Sequence, residues 1–219
     1  RLPPRSKLFP YTTLFRSSYW TENDLHVVGI HIVDASYTIP KDSELDQFAS
    51  NRFATIYFTD QKYYLFPFEL IKEKMTFTTG IERASISGFF YFDKNWNIVK
   101  NHFEETIFSL SKRSTYEETE NNLEPEFLKL KDLTLKLREE RLKNGAVATN
   151  IPELKVKVEN GEVNVRLVTQ TIGLTIVSEL MILFNSYFAK EFANRNILAL
   201  FRLQYVPSEP LKLSDVDLL

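Results

Sequence analysis

The chain has 219 residues, 43% of them hydrophobic, with 27 Lys and Arg against 29 Asp and Glu, a formal net charge of -2 and a pI near 6.0. That balance excludes the overall basic field of a protein that coats nucleic acid without preference, so any RNA contact has to be local. The absence of cysteine excludes disulfides and thiolate metal ligands and fits a reducing cytoplasm, and the length, with no linker dividing it, favours one domain.

Residues 1–18 (RLPPRSKLFPYTTLFRSS) contain no Asp or Glu and no sustained apolar period. They resemble a translated sequencing adapter and are set aside, which places the expected domain at 19–219. Leu25 to Ile32 (LHVVGIHI) is rich in β-branched residues and predicts a buried strand. Ser43 to Phe53 predicts a short helix, with Ser43 and Asp46 at capping-box spacing. Thr55 to Phe58 and Tyr63 to Leu65 flank Thr59-Asp60-Gln61-Lys62 and predict a hairpin, after which Pro67 opens a helical turn toward Lys72. Two long strands are predicted over Glu82 to Asp93 and Asn97 to Ser109. By period two, Ala84, Ile86, Phe90 and Phe92 take the core side, and Ser85, Ser87, Phe89 and Tyr91 the other.

Ser114-Thr115-Tyr116-Glu117 predicts another capped short helix. Leu123 to Lys143 reads as a helix with a broad apolar face (Leu128, Leu130, Leu133, Leu135, Leu137, Leu142) stopped by Gly145. Asn160-Gly161, between Leu154 to Val158 and Val163 to Val168, predicts a tight type I′ hairpin. A helix over 171–193 and a strand over 198–204 complete the order. The apolar run Ile172 to Phe188 is interrupted by Ser178, Glu179, Asn185 and Ser186, so it reads as a buried helix and not a membrane span. The expected class is α/β in the mixed, α+β sense: mostly antiparallel hairpins with packed helices.

By residue type alone the candidate site residues have ordinary roles. His26, His31 and His102 lack metal-binding spacing, and His26 and His31 face opposite sides of one strand. A strand tyrosine such as Tyr57 is commonly half-buried core. Glu179, in an apolar helix, needs a partner, an arginine by default. Asp34, at a strand end, faces a metal site or, as strand-terminal Asp residues more commonly do, caps a turn. Arg52, Arg83, Lys112, Arg113 and Arg202 are solvated surface, or else they line an RNA channel. Neither a Gly-rich phosphate loop nor a G-x-S-x-G stretch is present, which leaves nucleoside-triphosphate and serine-hydrolase chemistry without support.

Several motifs follow one another in a recognisable order. They are His31-Ile32-Val33-Asp34-Ala35-Ser36-Tyr37, Leu45-Asp46, Arg52, Tyr57, Phe66-Pro67-Phe68-Glu69-Leu70, Arg83-Ala84-Ser85-Ile86-Ser87, Thr115-Tyr116-Glu117-Glu118, Arg141 to Ala146, Pro152-Glu153 and Glu179 to Asn185. Each is weak by itself, but their succession resembles the catalytic (RNB) domain of the ribonuclease II/ribonuclease R family. The resemblance implies 3′ to 5′ hydrolysis of single-stranded RNA to nucleoside monophosphates in a narrow channel. A carboxylate-held Mg²⁺ pair would stabilise the attacking and leaving oxygens, and aromatic rings would stack on the terminal bases. It implies Tyr57 as a base platform, Glu179 as the candidate catalytic residue, and Arg52, Arg83 and Arg202 as candidate RNA contacts. It also implies single-stranded RNA as the partner, no preference for DNA, no membrane, and a cytoplasmic setting.

Departures from the family pattern accompany the matches. The family's Asp cluster precedes the strand at Leu25, where this chain has only Glu22 and Asp24, so no metal ligand is assigned. The second stacking position, after Gly145-Ala146-Val147, is Thr149, and of two adjacent helix acids the first is replaced by Ser178. The family's C-terminal arginine and RNA-binding barrel fall beyond Leu219. The expectation is an internal fragment, truncated at both ends and inactive alone. The alternatives are a catalytically degenerate scaffold that binds RNA or protein, and a soluble α/β domain with no RNA role.

Overall fold

The computed structural model describes residues 6–7, 15–59, 61–112, 116–146, 153–159, 162–168 and 170–202. The first half of the chain forms β1 (Ser6–Lys7), β2 (Phe15–Glu22), β3 (Leu25–Val33), α1 (Ala35–Thr38), α2 (Glu44–Arg52), β4 (Ile56–Tyr57), β5 (Lys62–Tyr63) and α3 (Phe68–Lys74). It is followed by β6 (Glu82–Phe92), β7 (Ile98–Lys112), α4 (Tyr116–Thr119), α5 (Pro125–Lys143), β8 (Glu153–Glu159), β9 (Glu162–Val168) and α6 (Ile172–Asn194). The expected mixture of antiparallel hairpins and packed helices is what forms.

One five-stranded sheet, in the order β1-β7-β6-β3-β2, organises the molecule; β1 runs parallel to β7 and the other pairings are antiparallel. Asn23 and Asp24, both at positive φ (50° and 62°), turn β2 into β3 in a two-residue hairpin. Between β6 and β7, the Asp93 carboxylate accepts from Asn95 N and Asn97 N at 2.8 and 2.9 Å and fixes the predicted turn. β2 begins at Phe15, ahead of the expected boundary at Tyr19. Residues 15–18 pair in unbroken register with Ile32 to Gly29, and all four are buried. Antiparallel pairing continues wherever the neighbouring strand offers free N–H and C=O groups, and β3 offers them that far.

The face carrying Phe90 and Phe92 is the core side, as its alternation predicts: it lies under α5 and α6 with Phe15, Val28, Ile30, Phe127, Leu130, Leu133, Ile176, Leu180 and Phe184. The opposite face is buried too, since Ser85, Ser87 and Phe89 are each under 5% exposed. A second cluster of Val33, Ile39, Met75, Phe77, Phe108 and Leu110 accounts for part of that cover. Gly88 allows close packing, because a Cβ there would sit 2.7 Å from Phe103 Cε1.

In α5 the apolar face is narrower than its leucines suggest. Phe127, Leu130, Leu133 and Thr134 are buried, whereas Leu128, Leu135 and Leu142 are 37–43% exposed. The helix ends in a Schellman motif: Gly145 takes φ 90°, Gly145 N donates to Leu142 O at 3.0 Å and Ala146 N to Arg141 O at 3.1 Å. α6 is capped by Thr171, whose hydroxyl accepts from Leu174 N at 3.2 Å. By length and composition α6 could cross a membrane, but its buried residues pack on the sheet as the core helix expected there. The strand predicted over 198–204 does not form over 198–202: Leu198 and Leu200 are fully exposed and among the described residues no strand pairs with them, and 203–204 lie outside the described residues. β8 and β9 pair from Glu153↔Val168 to Glu159↔Glu162, as the hairpin prediction requires. Asn160-Gly161 itself lies outside the described residues, as do Ser114 and Thr115 ahead of α4.

Candidate nucleic-acid interface

The outer unit made by α2, β4 and β5 presents Tyr57. Ser43 caps α2 by accepting from Asp46 N at 3.3 Å, while the Asp46 carboxylate accepts from Asp42 N at 2.8 Å, so the box closes one residue earlier than its spacing implies. At the other end Arg52 Nη1 donates to Tyr64 O at 2.6 Å and its guanidinium lies 4.8 Å over the Phe48 ring, which ties the helix to the hairpin. Leu65 N donates to Thr55 Oγ1 at 3.1 Å, and Phe58 N to Gln61 O at 2.9 Å. On this mount Tyr57 is 69% exposed, with Lys62 Nζ 5.5 Å above its ring. The half-buried position usual for a strand tyrosine is not the one adopted. One backbone bond, Val158 N to Thr59 O at 3.2 Å, joins this hairpin to the β8–β9 hairpin.

Of the arginines read as RNA contacts, Arg52 is partly occupied by Tyr64 O and Phe48, as described. Arg83 is turned elsewhere. Its Nε, Nη1 and Nη2 donate to the carbonyls of Thr76, Glu82 and Glu73 at 3.2, 3.0 and 2.5 Å, so it closes the end of α3. The physical reason is that carbonyls left unpaired at a helix end attract a cation that can donate several hydrogen bonds. Arg202 is exposed on the segment after α6. Lys112 pairs with Glu124 at 2.5 Å, and Arg113 and Thr149 lie outside the described residues.

Glu179 is 2% exposed, and both of its oxygens are held by Arg141 of α5: Nη2 to Oε1 at 2.8 Å and Nε to Oε2 at 3.2 Å, with Arg138 Nη1 at 3.9 Å. In place of the catalytic assignment, this geometry gives the carboxylate the job of bracing α6 against α5. Ser178, beside it, is exposed. Asp34 caps α1, accepting from Ser36 N at 2.9 Å and Tyr37 N at 3.3 Å, the turn-capping role expected of it.

The feature that residue reading passed over is a chain of hydroxyls around His31. His31 Nε2 meets Ser18 Oγ at 2.9 Å and Nδ1 meets Ser87 Oγ at 2.7 Å; Ser87 reaches Thr106 Oγ1 at 2.5 Å, and Thr106 reaches Ser85 Oγ at 2.8 Å. The ring stacks on Phe108 with centroids 4.1 Å apart. Burial pushes His31 down to about 3, so it is neutral, with one ring nitrogen donating and the other accepting. The only sequence signal is the recurrence of Ser and Thr at alternate positions, and that is legible only once the register His31↔Ser87 and Ser85↔Thr106 is known. His26, on the opposite face as its position requires, meets the Tyr19 hydroxyl at 2.6 Å and stacks on Trp96 at 4.4 Å. Burial, then Lys129, lowers its pKa.

Among the described residues, no three His, Asp or Glu side chains stand close enough together to hold a metal ion. With Asp34 committed to a helix cap and Glu179 to Arg141, the described residues do not fit a Mg²⁺ pair.

The RNB domain model matches residues 18–213. DIS3-like exonuclease 2 of Schizosaccharomyces pombe is 28% identical over 206 residues, covering 81% of this chain and 22% of that protein. Among solved structures, Mycoplasma genitalium RNase R in complex with ribose-methylated single-stranded RNA has a TM-score of 0.78 at 16% identity, over 87% of this chain and 32% of that one. Yeast Ssd1, a pseudonuclease, has a TM-score of 0.69 at 20% identity, over 84% of this chain and 24% of that one. The chain thus spans about a fifth to a third of the length of these proteins. With the family model matched over residues 18–213, most of the sheet and all of its helices, the chain belongs to the RNB domain family.

Proposed function

We propose that this chain is the interior part of the catalytic domain of an exoribonuclease that degrades single-stranded RNA from the 3′ end, releasing nucleoside monophosphates in the cytoplasm. The observation that carries the proposal is Tyr57, an aromatic ring held in solvent on a braced hairpin beside Lys62, where a base can stack and a phosphate can be neutralised. What these residues contribute is binding and orientation. Tyr57 takes the terminal base, Lys62 and Arg202 supply local positive charge, and the Arg141–Glu179 pair keeps α5 and α6 in register behind the hairpins. In the full-length enzyme a Mg²⁺ pair would stabilise the charge developing at phosphorus, and the described residues do not supply its ligands.

A second reading, a degenerate scaffold that binds RNA without cutting it, is favoured by Ser178, a hydroxyl at the solvent-facing position where the family carries an acid. One experiment separates the two. The full-length protein is incubated with 5′-labelled single-stranded RNA and Mg²⁺, and anisotropy and product length are followed together. Stepwise shortening from the 3′ end supports the enzyme, binding with intact RNA supports the scaffold, and no binding removes both.

A further inference from the structure

Phe53, at the end of α2, takes a backbone conformation that residues with a Cβ rarely adopt. Its φ is 66° and its ψ -32°, and Ala54 N donates across it to Arg52 O at 2.8 Å, a γ-turn of the strained, positive-φ kind. The ring is 86% exposed, so burial does not offset the strain. The mount is firm: Phe53 N donates to Ala49 O at 2.8 Å, and on either side Arg52 is bonded to Tyr64 O and Thr55 to Leu65 N. Trp96 shares a positive φ of 63° in the turn between β6 and β7, but its ring packs against the core, whereas the solvent-facing ring of Phe53 adds no burial to offset the strain, and strain of this sort clusters at ligand sites.

Tyr57 lies four residues on, and four residues of extended chain span at most about 14 Å, within reach of one bound strand. Two cations of this unit, Arg52 and Lys62, can pair with phosphates, and the flat rings suit unpaired bases of any identity. We infer that Phe53 is a second base-stacking platform, holding an unpaired base of single-stranded RNA next to the one on Tyr57. The inference rests on the RNA reading of Tyr57 and supplies a second aromatic contact to a chain with Thr149 at the family's other stacking position.

The test uses this chain, fluorescein-labelled oligouridine and fluorescence anisotropy without Mg²⁺. Phe53→Gly removes the ring and relaxes the positive φ, so it should melt at a higher temperature than the parent yet bind about tenfold more weakly, whereas Phe53→Trp should keep the parent affinity. Tyr57→Ala should weaken binding independently, and the double variant should lose the product of the two factors. If Phe53→Gly binds like the parent while Tyr57→Ala is weakened, the second platform is wrong and the Tyr57 reading stands. If Phe53→Gly is destabilised, the ring is structural and the inference is wrong. A parent chain that does not bind the oligonucleotide overturns both.

Discussion

Acidification should weaken this fold through His31, and the size of the effect follows from its surroundings. The ring is fully buried between Ser18 and Ser87 and stacked on Phe108, and burial lowers it from 6.5 to about 3. A folded-state pKa below the unfolded value means that the stabilisation is complete above the unfolded pKa. Below about 6.5 the unfolded chain takes a proton that the folded chain refuses, and stability falls until about pH 3. Each pH unit in that window costs about 1.4 kcal/mol, so about 2 kcal/mol should be lost by pH 5, a sizeable share of a domain's total stability. Urea unfolding followed by the fluorescence of Trp20 and Trp96 at pH 7.5, 6.5 and 5 measures it. His31→Leu should be less stable than the parent at pH 7.5 but lose about 2 kcal/mol less between pH 7.5 and 5. His26 titrates in both proteins, so the difference isolates His31. Equal losses in parent and variant over that interval would refute the buried, neutral histidine.

Gly29→Ala should be destabilised by about 1–3 kcal/mol in the same assay, because the new Cβ would lie 2.3 Å from Ser18 Oγ and 2.9 Å from His31 Nε2. Glu179→Gln exchanges a charge-assisted pair for a neutral contact and should lower stability by roughly 1.5–3 kcal/mol, while RNA affinity measured by anisotropy changes less than about twofold. Lost affinity at unchanged stability would put that carboxylate on the RNA. Incubated with single-stranded RNA and Mg²⁺, the isolated chain should release no nucleotides, since its described residues bring no metal-holding group together; robust release by a nuclease-free preparation would contradict this.

What the sequence made legible was local. The Asp93 turn, the Ser43 and Asp34 caps, the Gly145 stop and the hairpin around residues 59–62 are each determined by residues within a few positions of one another, and each forms. What it hid depends on distant partners. Period two puts Ser85 and Ser87 on the side away from the core, but Thr106 and His31, 21 and 56 residues away, satisfy them and let that face be buried as well. Arg83 reads as a channel cation because nothing nearby in sequence announces that the end of α3 will lie against it. The leucines of α5 reach around more of the helix than one sheet and one neighbouring helix can cover, so only the stripe through Phe127, Leu130 and Leu133 is buried. Tyr57 was ambiguous for the same reason. Residue type alone favours the core, and only the position of the hairpin at the outside of the fold settles its exposure.

The two acid positions on α6 show how a family pattern can be kept in part without keeping its chemistry. Successive residues on an α-helix project about 100° apart, and here positions 178 and 179 meet different surroundings. Position 179 turns inward, where an unpaired carboxylate would be costly, and Arg141 holds it through two hydrogen bonds from the neighbouring helix. Selection on folding alone retains such a residue whether or not the protein cuts RNA. Position 178 is open to solvent, and no packing requirement fixes what stands there. Ser178 therefore stands outside the packing demand that holds Glu179 against Arg141. Glu179 thus answers to the packing of α6 against α5, and a test of RNA contact on this helix belongs at position 178.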